Sequence, residues 1–320
     1  MLEALITLLL ALHLLCVNAA AGGPLVAAWL DWRAARGDVS APGAARYLAV
    51  FSLGGLLAGA LLGTAIGWLQ WDNSYRSLWL GPLRYKLHWA GIEAVFSLVL
   101  LLGWWRWLPG SAGGQKWAAV VRGVLALLAS SNLLYHFPVL FSVAARLYDQ
   151  GQTAGAVIRG ARFRQQMAVG ETPALAVHVT LASLAVAGLL LVGYALRLQK
   201  RGDAAAAKLA IWGGRWAFAP TLAQLPVGLW TLAMLSAAAQ TRIMGTSTIG
   251  VLLLVGSLTA AFWLTRELAS IALGETARPI LIRSMAALLV TVVLMTGLQR
   301  QTRVQIPTAD VPGSIQESTP

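Results

Sequence analysis

Eight apolar runs follow one another along this chain, each near the 20 residues that a helix needs to cross a hydrocarbon core about 30 Å thick. They fall at about residues 4–30, 45–70, 84–105, 118–147, 173–197, 209–236, 244–265 and 280–298, with short charged clusters between them. Within hydrocarbon only helices and closed barrels satisfy their own backbone, and runs this long exceed barrel strands. The expected fold is an all-α integral membrane protein of about eight transmembrane helices in one bundle.

The connections leave no room for a second domain, so residues 1–298 read as a single transmembrane helical domain and 299–320 as a polar, mobile C-terminal tail. A net charge of +12 would point to nucleic acid in a soluble protein. Here the basic residues sit at span ends, where the membrane accounts for them, and nucleic acid is not an expected partner. Fourteen Lys and Arg flank connections 1–2, 3–4, 5–6 and 7–8, against ten on the other side. The excess places both termini outside a bacterial-type inner (cytoplasmic) membrane. The first 21 residues resemble a signal peptide, but they carry Glu3, no Lys or Arg, and an apolar run continuing past Pro24; a spanning helix is expected instead.

Span 2 carries Gly55, Gly59, Gly63 and Gly67, a bare stripe for close helix approach, either within the chain or to another subunit. The chain has no Walker loop, HExxH, GxSxG or GxGxxG in a dinucleotide-binding context. Its single cysteine, Cys16, excludes an intrachain disulfide and covalent CxxCH haem attachment.

All four histidines, His13, His88, His136 and His178, fall inside spans. Ionisable groups at such depth are costly and functional by default. From the outer span ends, His13 lies at about 14 Å, His136 at about 18 Å, and His88 and His178 at about 6–8 Å, all in the outer half. Imidazoles collected at similar depth, with few acidic co-ligands, suit haem iron held between helices; zinc or copper, and interhelical hydrogen bonds, are the alternatives. Asn132 and Ala129 before His136, and Ala182 and Ala185 after His178, leave room for a flat macrocycle. Glu93, five residues after His88, reads as a proton-handling carboxyl or a histidine partner. At the start of span 7, Met244 is a candidate thioether ligand and Arg242 a candidate propionate partner, with Arg159, Arg162 and Arg164 in the longest connection as further propionate candidates.

In this order the motifs resemble subunit I of the cytochrome bd quinol oxidase superfamily, in a compact and divergent form. The resemblance rests on Leu12-His13-Leu14-Leu15, Gly81-Pro82-Leu83 with Glu93 ahead of Gly103-Trp104, Ser131-Asn132-Leu133, Val177-His178-Val179-Thr180 and Arg242-Ile243-Met244. It covers about 240 residues, and it implies that His13, His178 and Met244 ligate haem iron and that Glu93 lies on a proton route. The chain departs from that family in passing almost directly from Ser236 to Met244, where quinol-binding members carry a long loop. Gly297 stands where a carboxylate ligand is expected before Arg300-Gln301. His88 and His136 are additions, able to replace the missing ligand and close the iron to oxygen.

The functional expectation is therefore a membrane b-type cytochrome holding two or more b haems. It passes electrons near the outer face between a quinol and a partner, either cytochrome c or another membrane redox subunit. His13 with His136 would hold a deeper haem, and His178 with Met244 or His88 a shallower one. The alternatives are a haem-dependent terminal oxygen reductase subunit and a haem-free transporter or scaffold.

Overall fold

A computed structural model describes residues 1–303. Eight long helices carry the apolar runs: α1 (Leu2–Ala35), α2 (Ala41–Leu69), α4 (Arg84–Trp107), α5 (Lys116–Asp149), α7 (Thr172–Gln199), α8 (Ala205–Met234), α10 (Thr248–Ala272) and α11 (Arg278–Thr302). Three short helices lie between them, α3 (Asn73–Leu80), α6 (Gly160–Met167) and α9 (Ala237–Thr241). The fold is thus an all-helical, multi-pass membrane protein, and the bilayer is its solvent. Residues 299–302, expected in the polar tail, form the last turn of α11; the rest of that tail, 304–320, lies outside the described residues.

Local chemistry sets the boundaries. Pro42, Pro173 and Pro279 stand in the first turns of α2, α7 and α11, where a missing N–H costs nothing. Side chains of Asp72, Ser236 and Ser247 accept from the N–H groups of Tyr75, Ala239 and Gly250, capping α3, α9 and α10. Arg242–Thr246 winds into a single π-type turn closed by the Ser247 N–H on the Arg242 carbonyl at 3.0 Å. That turn moves the start of the seventh span from the expected 244 to Thr248.

The helices close into two rings of four. In the first, α1 packs on α2, α2 on α4, α4 on α5 and α5 back on α1; in the second, α7, α8, α10 and α11 follow the same order. The rings meet where α1 lies against α7 and α11, and α5 against α7. Gly22 of α1 fits against the backbone of Ser183, leaving no space for a Cβ, and Ser183 donates to Asn18 Oδ1 at 2.7 Å. A second close approach joins α7 to α8, where Gly188 and Gly213 face each other's backbone. Near the opposite face α1 meets α5 through a buried two-pronged ion pair, Arg122 Nε and Nη2 to Asp31 at 2.7 and 2.9 Å.

The face bearing the α1 N-terminus and the α11 C-terminus, joined by a Glu3–Arg300 ion pair, carries the three short helices. There Leu78, Trp79, Leu83, Val143, Leu147 and Phe163 form a small separate core over the ends of α4 and α5. Arg146 of α5 pins the end of α6 and the link to α7, donating to the carbonyls of Gln166 and Val169 and to Thr172 Oγ1. On the opposite face Asp38, in the α1–α2 turn, receives Lys208 at 2.8 Å, Arg33 at 3.1 Å and the Ser40 hydroxyl at 2.7 Å. Burial alone would raise its carboxyl's pKa; these donors outweigh burial and hold it well below the usual carboxylate range.

Candidate functional site: the histidines of the spans

His13 sits on α1 facing α2. Its Nδ1 lies 2.8 Å from the Gly59 carbonyl. A carbonyl only accepts, so Nδ1 carries the proton and the lone pair of Nε2 is left for another partner. A Cβ at Gly63 would come within 2.9 Å of the His13 ring, while Gly55 and Gly59 seat the next turn of α1 at Cys16 and Val17. The glycine stripe of α2 therefore serves an internal contact and forms the floor under His13; only Gly67, which meets nothing, is free of it.

His178 sits on α7 facing α8. The amide nitrogen of Gln224 lies 3.4 Å from its Nε2 and 3.5 Å from its backbone carbonyl, both long contacts. Its Nδ1 is buried and has no hydrogen-bond partner among the described residues. An orphaned ring nitrogen of this kind costs about 1–3 kcal/mol. Ser183 lies between the levels of Asn18 and Gly22, so His178, five residues earlier on a parallel helix, stands within about one turn of His13 along the bundle axis. The sequence arithmetic separated the two by more because α1 projects beyond α7 at this face.

The third group is Glu93 and His136, brought together across α4 and α5 with Oε1 and Nε2 3.7 Å apart. Asn132, one turn before His136, donates to the Glu93 carbonyl at 3.0 Å and to Ser97 Oγ at 2.8 Å. It locks α5 onto α4. The space expected beside His136 at Ala129 and Asn132 is thus closed, since α4 fills it and Ala129 is buried. The Ala185 position below His178 is also taken by core packing.

Other residues fall apart from these groups. His88 is exposed on α4. Met244 is 55% exposed on the π-type turn, which packs on α9, α10 and α11 and so away from the α7–α8 contact of His178. Arg242 is half-buried on that turn, and Arg159, Arg162 and Arg164 are exposed, with Arg159 stacked 4.9 Å over Tyr85. His13 turns to α2 and His136 to α4, so they do not face one another. Among the described residues no three His, Cys, Asp or Glu side chains gather closely enough to hold a bare metal ion, which removes the support for a clustered zinc or copper centre.

Sequence reasoning missed Gln224, Arg146 and the Asp31–Arg122 pair. Only the last had a readable signal, opposite charges standing four residues from the end of one span and six from the start of another.

Compared with known proteins, the chain matches no family model and no curated sequence.

His13 and His178 each leave one ring nitrogen without a hydrogen-bond partner among the described residues. In His13 it is Nε2, on a ring held by a backbone carbonyl, the arrangement a haem iron would take; in His178 it is the buried Nδ1, while Nε2 faces the Gln224 amide nitrogen.

Proposed function

We propose that this chain is a b-type membrane cytochrome, with His13 and His178 as axial haem ligands, that carries electrons between a quinol and a partner redox protein in an inner (cytoplasmic) membrane. The observation that carries this reading is the His13 Nδ1 contact with the Gly59 carbonyl. A ligating histidine nearly always gives its other ring N–H to a carbonyl or carboxylate, which fixes the tautomer and raises the donor strength of the free nitrogen. Gly63 adds the clearance that the ring needs in this position.

Haem, when bound, supplies one-electron transfer. The residues of this chain do the rest. Gly59 keeps the proton on Nδ1, and the packed α1–α2 and α7–α8 interfaces hold the two rings in place. The ordered resemblance to the bd oxidase subunit I points to the same two histidines.

Reduced-minus-oxidised spectra and a pyridine haemochrome count on the purified full chain test the reading. The expected result is b haem that falls in His13→Ala and in His178→Ala. A carbon monoxide band would favour the oxygen reductase alternative. A colourless, well-folded protein would overturn the proposal and leave a transporter or scaffold.

A further inference from the structure

The Glu93–His136 pair has no part in the haem ligation proposed above, and its geometry is unsatisfied. At 3.7 Å the two groups are too far apart to share a hydrogen bond, and neither side chain makes one elsewhere among the described residues. Helix packing does not require them either, because Asn132 already ties α5 to α4 through the Glu93 carbonyl and Ser97.

Both side chains also reach the outer surface of the bundle. The His136 side chain is 42% exposed and that of Glu93 19%. Glu93 stands nine residues into α4, about 13 Å from its end. At that depth the surroundings are acyl chain, which offers these groups nothing. A phospholipid headgroup does not reach it. What covers the pair must dissolve in hydrocarbon and still present hydrogen-bonding oxygen.

We infer that Glu93 and His136 form a binding site for the headgroup of a quinol or quinone entering from the lipid between α4 and α5. An oxygen about 2.8 Å from each group closes the 3.7 Å gap. A quinol hydroxyl there donates to the Glu93 carboxylate and accepts from the His136 ring, and a quinone carbonyl keeps the second contact. The apolar surroundings fit a flat ring with a long tail. Tyr135 stands edge-on to His136 at 5.0 Å, and Trp89, Ile92 and Phe96 line the exposed face of α4 on either side of Glu93. The site rests on the proposed function, for which it supplies the lipid-soluble donor, and it lies one helix away from His13 rather than in a loop between spans 6 and 7.

The test is photolabelling of the full chain in lipid nanodiscs with an azido-quinone, competed by decylubiquinone, with adducts mapped by mass spectrometry. Adducts should fall on α4 and α5, and apparent affinity should drop about tenfold or more in Glu93→Gln and in His136→Leu, each of which removes a charge-assisted contact. Adducts confined to other helices, or undiminished affinity in folded His136→Leu, would overturn the site and leave a trapped water as the bridge. Should His136→Leu fail to fold, Ile92→Trp fills the same lipid-facing approach, and unchanged labelling in it would be equally decisive. Haem counted in the same samples separates the two proposals: haem without quinone labelling defeats this site alone, and labelling without haem defeats the cytochrome reading alone.

Discussion

Removing either partner of the Asp31–Arg122 pair should be among the most damaging single changes in this chain. The Asp31 carboxylate is 0% exposed and the Arg122 side chain 7%, so neither has water to fall back on. An arginine cannot shed its charge, and Asp31→Leu leaves a guanidinium buried between α1 and α5 with only the distant face of Trp107, 5.8 Å away. Breaking a buried pair from one side costs about 3–5 kcal/mol, whereas replacing both partners with apolar residues is often neutral. In a chain of this size one kcal/mol shifts the melting temperature by about 2 °C, so Asp31→Leu should lower it by about 6–10 °C. Arg122→Leu should act similarly, and the double variant should recover most of the loss. The assay is apparent Tm at fixed scan rate, from helical circular dichroism in one detergent, arranged as a double-mutant cycle. Single changes below about 1 kcal/mol that simply add would refute the pairing of α1 with α5 at this point.

Three further outcomes follow from the packing. Gly188→Ala places a Cβ 2.5 Å from the Ala217 nitrogen and 2.7 Å from the Gly213 carbonyl, so α7 and α8 must part; Tm should fall, whereas Gly54→Ala, which meets nothing, should leave it unchanged or raised. Asp38→Asn should destabilise the protein at neutral pH. Because the folded carboxyl titrates below the unfolded one, the difference from wild type should hold above about pH 4, near the ordinary aspartate value, and shrink as pH falls toward the lowered folded value; Tm against pH for both proteins checks this. Arg146→Leu frees the segment held at Gln166, Val169 and Thr172, and trypsin should then cut faster at Arg159, Arg162 and Arg164, seen as an earlier internal fragment on a gel.

The eight spans were legible because hydrocarbon allows only one solution for a long apolar run; their ends fall within five residues of those expected except at Ala272, seven past 265, and the start near Met244 moves by four. There the run of apolar residues continues, but Gly245 and the Ser247 cap break the winding, and a hydropathy reading weighs neither. The helices α3 and α6 were hidden for the opposite reason. Asn73–Leu80 and Gly160–Met167 are polar on average, and each is held by one or two anchors, Leu78 and Trp79 or Phe163, that become a core only when α5 is beneath them. Depth placed all four histidines on spans, but His88 proves exposed and the His136 side chain is 42% exposed, and depth could not say which helix each would face. His13 meets α2 because of glycines 46 and 50 residues away in sequence, and Glu93 meets His136 because Asn132 brings α5 against α4. Such adjacency is a property of the assembled bundle, which no local pattern records.

The position of α1 has a consequence for how the protein is made. It precedes every other helix described here, yet its neighbours include α7 and α11, which follow four and seven of these spans. Until α7 arrives, Asn18 and the groove at Gly22 have no Ser183 to meet and lie open to lipid or to an insertion factor. A nascent chain stopped after α5 can complete its first ring and still present this polar notch. The earliest of these helices is thus the last to be fully enclosed, and ribosome-stalled intermediates released before α7 should be the ones that membrane quality-control proteases remove.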